Sequence, residues 1–276
     1  MGQNIVSQAW KSLNVQWYYF KRKCHVTAAH YRYQHSAFKA SNEALLQSLK
    51  GKYAGKRIFI VCNGPSLRAE DLEKIHQNGD FSFGCNFIQY IYPKTQWRPN
   101  FFTMLDIGPQ RDRIDVMRNC PAEIQFYRRD AYSTLCKTRR DNFCVVNTLD
   151  KPELLEHPKF SDDCSKILYF IGTTTYGMLQ LAVHMGFKEL YIIGCDNNYA
   201  VNVKKDGTRV NTGAKAYFDG MKGSSVSQSV GFIWQFDIAY QAAQEFASKH
   251  GIKIYNATRG GHLEAFPRVD FDSLFQ

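Results

Sequence analysis

Arg57-Ile58-Phe59-Ile60-Val61-Cys62-Asn63-Gly64-Pro65-Ser66-Leu67 decides the fold. After Arg57 the run has no polar alternation, as in a strand buried on both faces of a sheet. It breaks at Asn63-Gly64-Pro65-Ser66, a cluster of turn-forming residues. A helical apolar pattern follows over Ala69–Gln77. A strand, a glycine turn and a helix in that order form the opening of a parallel α/β unit.

Working outward, the same alternation repeats. Residues 80–85 predict a second strand closing on Asn86, and 101–105 a third closing on Asp106. Further strands are predicted at 122–127 and 167–171. Residues 174–185 predict a helix, with Met178, Leu181, Ala182 and Met185 on one face. Glu189–Ile193 reads as a strand running into Gly194-Cys195-Asp196. A polar stretch over 197–231 has five glycines and little periodicity. A helix over 232–250 and a strand over 252–255 follow. The predicted fold class is α/β: a Rossmann-like, mostly parallel sheet with helices on both faces, a lid segment and an N-terminal helical extension.

Ahead of this core the chemistry changes. The chain has 276 residues and a net charge of +10, but residues 1–57 hold ten Lys or Arg against the single acid Glu43. The other 219 residues are almost balanced, with 25 basic and 24 acidic groups. The expected division is therefore a basic extension over 1–55 and a catalytic domain over 56–276, with a lid over 197–231. This placement argues against a globally basic nucleic-acid binder. Trp10, Leu13, Trp17 and Phe20 recur at helical spacing and run into Lys21-Arg22-Lys23. Such a helix suits either an anionic membrane interface or packing on the main domain or another subunit. A second helix is expected over 41–49.

The eight cysteines form no C-x-x-C pair and are scattered through apolar stretches. They read as reduced, buried thiols in a cytoplasmic protein, and no zinc site is expected. No apolar run approaches a membrane span and the N-terminus has no signal-peptide core. Met1-Gly2 begins like a myristoylation site, but position 6 is Val6.

In a parallel sheet, ligands bind at the carboxyl ends of the strands. Here those ends carry Asn63, Gly64 and Ser66, then Asn86, Asp106, Thr173 and Thr174, and Asp196 through Tyr199. They are small, polar and mostly uncharged. A glycine turn lets backbone N–H groups approach a phosphate, and amide and hydroxyl side chains read a nucleoside. Taken alone, Asn63 and Ser66 are also the residues of an ordinary turn and helix cap. The turn is neither G-x-G-x-x-G nor a P-loop, which disfavours ordinary dinucleotide and P-loop nucleotide binding.

Three stretches carry a resemblance: Ile60 through Leu67, Gly84-Cys85-Asn86-Phe87, and Gly172-Thr173-Thr174-Thr175-Tyr176-Gly177. Together with Met185 through Asp196 they resemble the bacterial lipooligosaccharide sialyltransferases. The chain is also similar to the wider superfamily of archaeal 6-hydroxymethylpterin diphosphokinases and motility-associated flagellin glycosylation factors. Asn256 through Gly261 and Phe266 through Phe271 look like the tail of surface-polysaccharide relatives. The resemblance implies a glycosyltransferase that takes a cytidine-monophosphate sugar without metal or other cofactor. By it, Asn63 and Asn86 contact the nucleotide, Thr173 and Thr174 sit at the donor's cytidine and carboxylate end, and Tyr199 holds the leaving phosphate. It also implies a homo-oligomer and a glycan or lipid-linked acceptor at the inner face of the membrane.

The chain departs from that pattern in three places. Thr175 stands where the relatives have Gly, and Asp106 where they have Asn. Phe232 stands near the position of their His before the post-lid helix. The catalytic base is then sought among His262, Asp106, Asp196 and Glu264; a carboxylate needs its pKa raised by burial to serve. Asp196 is equally suited to anchoring its strand end. The first functional reading is transfer of sialic acid or a related nonulosonate from a CMP donor in bacterial surface polysaccharide synthesis. The second is a pterin diphosphokinase using ATP and Mg²⁺, with Asp106 and Asp196 as its only carboxylates at neighbouring strand ends. The third, a nucleic-acid module on the basic N-terminus, lacks a recognition motif.

Overall fold

The computed structural model describes residues 21, 23–106, 117, 119–132, 142–219 and 230–276. The amphipathic stretch expected over 1–23 lies almost wholly outside these residues, as does 220–229 of the lid. Seven strands form one sheet: β1 (Arg57–Val61), β2 (Phe81–Cys85), β3 (Phe101–Met104), β4 (Ile124–Arg128), β5 (Phe143–Val146), β8 (Glu189–Ile193) and β12 (Lys253–Asn256). Their order is β12-β8-β1-β2-β3-β4-β5, and every pairing is parallel. The chain starts at β1, steps outward to β5, then returns to build β8 and β12 on the other side. The order therefore reverses between β1 and β8, which opens a crevice at their carboxyl ends.

The apolar run of β1 is buried on both faces, with Ile58, Phe59, Ile60 and Val61 fully inaccessible. Ile58 and Ile60 meet the core shared with α3 (Thr174–His184) and α4 (Ile233–Lys249). Phe59 and Val61 face the opposite core, where α2 (Ala69–Gln77) contributes Leu72 and Ile75. Alternating sides of one strand thus feed two separate cores, the reason the run shows no polar phase.

Three features differ from expectation. Phe143–Val146 is a strand of the main sheet that the sequence does not announce, because four residues flanked by Asn142 and Asn147 give no measurable period. The run at 167–171 yields only β7 (Leu168–Tyr169), paired with β6 (Thr148–Leu149) outside the main sheet. Its apolar residues Leu168, Phe170 and Ile171 are in the run because they enter the core, not because they extend a ladder. The lid is not irregular throughout: β9 (Val201–Val203) pairs antiparallel with β10 (Arg209–Asn211) and parallel with β11 (Val230–Gly231).

The N-terminal segment is also part of the fold from residue 23 onward. Residues 23–34 are helical, and α1 (Phe38–Leu49) buries Leu46 and Leu49 in the core. The charge boundary near residue 55 is thus not a packing boundary. Of the described cysteines, Cys24 is exposed, six are buried, and none is in a disulfide. No helix among the described residues is long and apolar enough to cross a membrane.

One buried side chain ties this segment to the sheet. Strand β5 is an edge, so its outer backbone groups need partners. Fully buried Asn42 supplies them: its Oδ1 accepts from Val145 N at 2.7 Å, and its Nδ2 donates to Val145 O at 3.0 Å and to the Tyr33 hydroxyl at 2.9 Å. Asn42→Leu keeps the volume and strands both backbone groups, at a cost of about 2–4 kcal/mol. Urea unfolding should show this as a lower midpoint with an unchanged slope; an unchanged midpoint would mean that water takes over both groups.

Candidate functional site

The crevice at the β1–β8 switch point deepens into a cavity of about 350 Å³. Its frame is set by the turn after β1. Gly64 N donates to Gly194 O at 2.7 Å, and Cys62 N to Ile193 O at 2.9 Å, which carries the β1–β8 pairing past the strand ends. Asp196, just beyond β8, reaches back: its Oδ2 accepts from Ser66 Oγ at 2.8 Å and from Ser66 N at 3.2 Å. A side chain on residue 64 would place its Cβ 2.0 Å from that oxygen and 2.5 Å from Gly194 O. Only glycine lets the two strand ends approach this closely. From the far side a Cβ on Gly261, at φ +73°, would come within 2.8 Å of Asp196 Cα, and His262 N donates to Asp196 O at 2.8 Å.

Eight of the ten residues singled out in the sequence line this one cavity: Asn63, Gly64 and Asn86, Thr173 and Thr174, Asp106, Asp196 and Tyr199. The other two lie behind it. The Ser66 hydroxyl is spent on Asp196, and α2 begins at Ala69 with no side-chain cap from Arg68. His262 is exposed and is not part of the lining.

Asn63 and Asn86 are posed as ligands. Asn63 Nδ2 donates to Cys85 O at 3.0 Å, which fixes the amide orientation and leaves Oδ1 buried without a partner. Asn86 Oδ1 is likewise buried and unpaired. Asn86 adopts φ +50°, and its N–H donates to Thr103 O at 3.0 Å. Asparagine tolerates this left-handed backbone better than most residues. Two orphaned amide oxygens on one cavity wall call for donors from a ligand.

Opposite them stands the N-terminus of α3, with Thr173 at the cap position and its hydroxyl free of any capping bond. The Thr173 Oγ1 lies 3.3 Å from the Tyr240 hydroxyl, and Thr174 Oγ1 donates to Asp106 Oδ2 at 3.3 Å. Burial raises the Asp106 carboxyl above its ordinary value, against the Thr174 bond and the Arg128 charge that lower it. Burial raises Asp196 as well, opposed by the two Ser66 bonds.

The lid closes the cavity. Asn197, at φ +52°, donates from Nδ2 to Asp237 Oδ1 at 3.3 Å and so roots the lid on α4. The Tyr199 ring packs on Phe236 and lies under Gly231, where a Cβ would come within 2.3 Å of it. Further on, Phe218 N donates to Asn63 O at 3.0 Å, which brings Ala216 and Tyr217 over the cavity. Burial pushes the Tyr199 and Tyr217 phenols up, so both stay neutral hydroxyl donors. Phe232, at the position of the relatives' His, is 38% exposed and lines the cavity mouth.

Sequence reasoning missed Cys62, Cys85 and Cys195, Tyr217 and Tyr240, all of which line the cavity, as does Thr175. The Cys62 thiol lies 3.3 Å from Thr175 Oγ1 and Cys195 Sγ lies 3.6 Å from the Tyr240 hydroxyl. The neighbouring Cys195 thiol and burial push Cys62 up, and burial pushes Cys85 up, so both stay protonated. The available signal was their placement, one residue before Asn63, Asn86 and Asp196. Tyr217 and Tyr240 had no such signal, because only the folded lid and α4 bring them here.

A family model described as 6-hydroxymethylpterin diphosphokinase MptE-like matches residues 32–202. No curated protein matches the chain. Among solved structures, the MAf glycosyltransferase from Magnetospirillum magneticum AMB-1 is similar at 16% identity and a TM-score of 0.49. That match covers 85% of this chain, which spans only 38% of the length of that one. The sialyltransferase CstII from Campylobacter jejuni, in complex with cytidine-5'-monophosphate, is similar at 15% identity and a TM-score of 0.46, covering 78% of this chain and 85% of that one. Since the family model takes in β1 through β9 and all the strand ends that frame the cavity, the chain belongs to the 6-hydroxymethylpterin diphosphokinase MptE-like family.

Proposed function

We propose that the protein is a glycosyltransferase that takes a CMP-activated sugar, sialic acid or a related nonulosonate, and transfers it to a glycan acceptor. The observation that carries this reading is the neutral, partly unsatisfied cradle at the switch point. The Asn63 and Asn86 oxygens await donors such as ribose hydroxyls or a base amino group. Thr173, Tyr199 and the N-terminus of α3 supply hydroxyl and backbone donors. Such groups suit the single charge of a phosphodiester, and they strengthen as charge develops on the leaving phosphate. The choice of cytidine rests on the motif resemblance.

In the reaction the acceptor hydroxyl oxygen bonds to the anomeric carbon. The bond from that carbon to the phosphate oxygen breaks, and its electron pair leaves with CMP. The acceptor proton passes to a base. Asp106 is that base in this reading. It lines the cavity, burial raises its pKa, and its side-chain partner among the described residues is a hydroxyl. Asp196 is committed to the turn through Ser66, and His262 stands outside the lining.

The family's printed name supports a second reading, a pterin diphosphokinase working with ATP and Mg²⁺. Among the described residues no three metal-binding side chains come together. Asp196 Oδ2 is already bonded twice, which leaves Asp106 as the cavity's uncommitted carboxylate. This donor set is a poor fit to a magnesium ion shared with a triphosphate.

A nucleotide screen by thermal shift separates the two. CMP at a hundred times its Kd should stabilise the protein by about 2.7 kcal/mol whether or not Mg²⁺ is present. A shift confined to ATP with Mg²⁺ would sink the transferase reading. For the base, Asp106→Asn should lower kcat about 10²–10⁴-fold and leave CMP binding nearly intact. Because the base must be ionised, wild-type kcat should rise with pH through a pKa above the ordinary Asp value and then level off. An undiminished kcat in Asp106→Asn would remove Asp106 from the role.

A further inference from the structure

A second cavity, of about 500 Å³, opens at the carboxyl ends of β4 and β5. Its wall holds an ion network that packing does not require. Arg128 is only 3% exposed. Its Nε donates to Asp130 Oδ1 at 3.1 Å, Nη2 to Asp130 Oδ2 at 2.9 Å, and Nη1 to Asp150 Oδ2 at 3.3 Å. The guanidinium lies over the Phe170 ring, 5.3 Å from its centre. Burying an arginine with carboxylates generally stabilises a fold less than apolar packing would. A network of this kind on a cavity wall therefore points to use.

The cavity is near charge balance, with Lys23, Arg128 and Lys151 against Asp130 and Asp150. An anion would face two carboxylates and a cation three basic groups. A neutral ligand rich in hydroxyls meets both kinds of partner, donating to Asp and accepting from Arg and Lys. Val26, Leu149 and Ile167 supply an apolar surface for the C–H face of a sugar ring. The place also fits. Arg128 and Asp150 are close enough to Asp106 for their charges to act on its carboxyl, the first lowering and the second raising its pKa. Asp106 follows β3, the neighbour of β4 in the sheet with Met104 opposite Tyr127, so it lines the first cavity on the same carboxyl edge at which the second opens.

We propose that this second cavity is the acceptor subsite and takes a neutral saccharide, one hydroxyl of which it presents to Asp106. The proposal rests on the first cavity being the donor site. The saccharide oxygen then bonds to the anomeric carbon, its proton passes to Asp106, and the phosphate leaves with the electron pair of the broken C–O bond.

Hydrogen exchange on the full chain tests it, with CMP present and lactose, maltose or chitobiose each added at tens of millimolar. CMP should slow exchange around 62–66 and 172–175. At least one saccharide should slow it around 147–151. Lys151→Ala, an exposed change, should weaken that saccharide about tenfold, and Thr148→Trp, which fills the cavity, should abolish its protection. Neither should alter the CMP effect. Protection by CMP with none by any saccharide around 147–151, or saccharide protection untouched by both variants, overturns the acceptor subsite and leaves the donor reading standing. Failure of CMP to protect the first cavity overturns the donor reading and the subsite with it.

Discussion

The bond from Asp196 to Ser66 is the constraint on which the site depends. It closes the gap where the sheet changes direction, between β1 and β8, which are neighbours in the sheet but far apart in the chain. Gly64 makes the closure sterically possible, and Gly261 and His262 N lock Asp196 from the other side. With both strand ends fixed, Asn63 has one orientation available, and the lid has one place to land, on Asn63 O through Phe218 N. A carboxylate that looks catalytic in the sequence thus serves the geometry of everything around it.

The cavity that results is polar, and apart from the carboxyls of Asp106 and Asp196 its lining carries neutral side chains. Its floor is a row of thiols from Cys62, Cys85 and Cys195, all on the core face that meets α3 and α4. The Cys195 thiol together with burial holds Cys62 in the protonated form, and burial holds Cys85 there. The hydroxyls of Tyr199 and Tyr217 stay neutral for the same reason. In such surroundings a hydrogen bond to a developing phosphate charge is stronger than it would be in water. Basic charge is kept to the adjoining edge, where Arg128 pairs with Asp130 and Asp150.

How much of this was legible follows from the range of each signal. The apolar run of β1, the pattern of α2 and the strand β8 were readable because each is written in consecutive residues. Asn63, Asn86 and Asp196 were readable as a set because a parallel sheet sends all its carboxyl ends to one edge; Thr173 joins them through the start of α3, not through a strand of that sheet. Strand β5 escaped notice because its partner groups come from β4 on one side and from Asn42, about a hundred residues earlier, on the other. Ser66 looked like a ligand because nothing local reveals that Asp196 claims its hydroxyl. The +10 total was the weakest guide: Arg57 in the basic segment is paired with Asp80 at 2.7 Å, and Lys50 with Asp163.

The two carboxylates of the cavity show how one scaffold can be turned to different chemistry. Both are raised by burial, yet their surroundings separate them. Asp196 receives two bonds from a rigid turn and could leave it only by opening the β1–β8 crevice. Among the described residues Asp106 receives one side-chain bond, from the Thr174 hydroxyl at 3.3 Å, and the charges of Arg128 and Asp150 act on it. A family member that shared a cation between these positions would have to release the first carboxylate from its turn, and so give up the closure that shapes the nucleotide cradle. Within this chain the fold commits Asp196 to the turn through Ser66, and under the transferase reading proposed above Asp106 is the carboxylate that takes the proton.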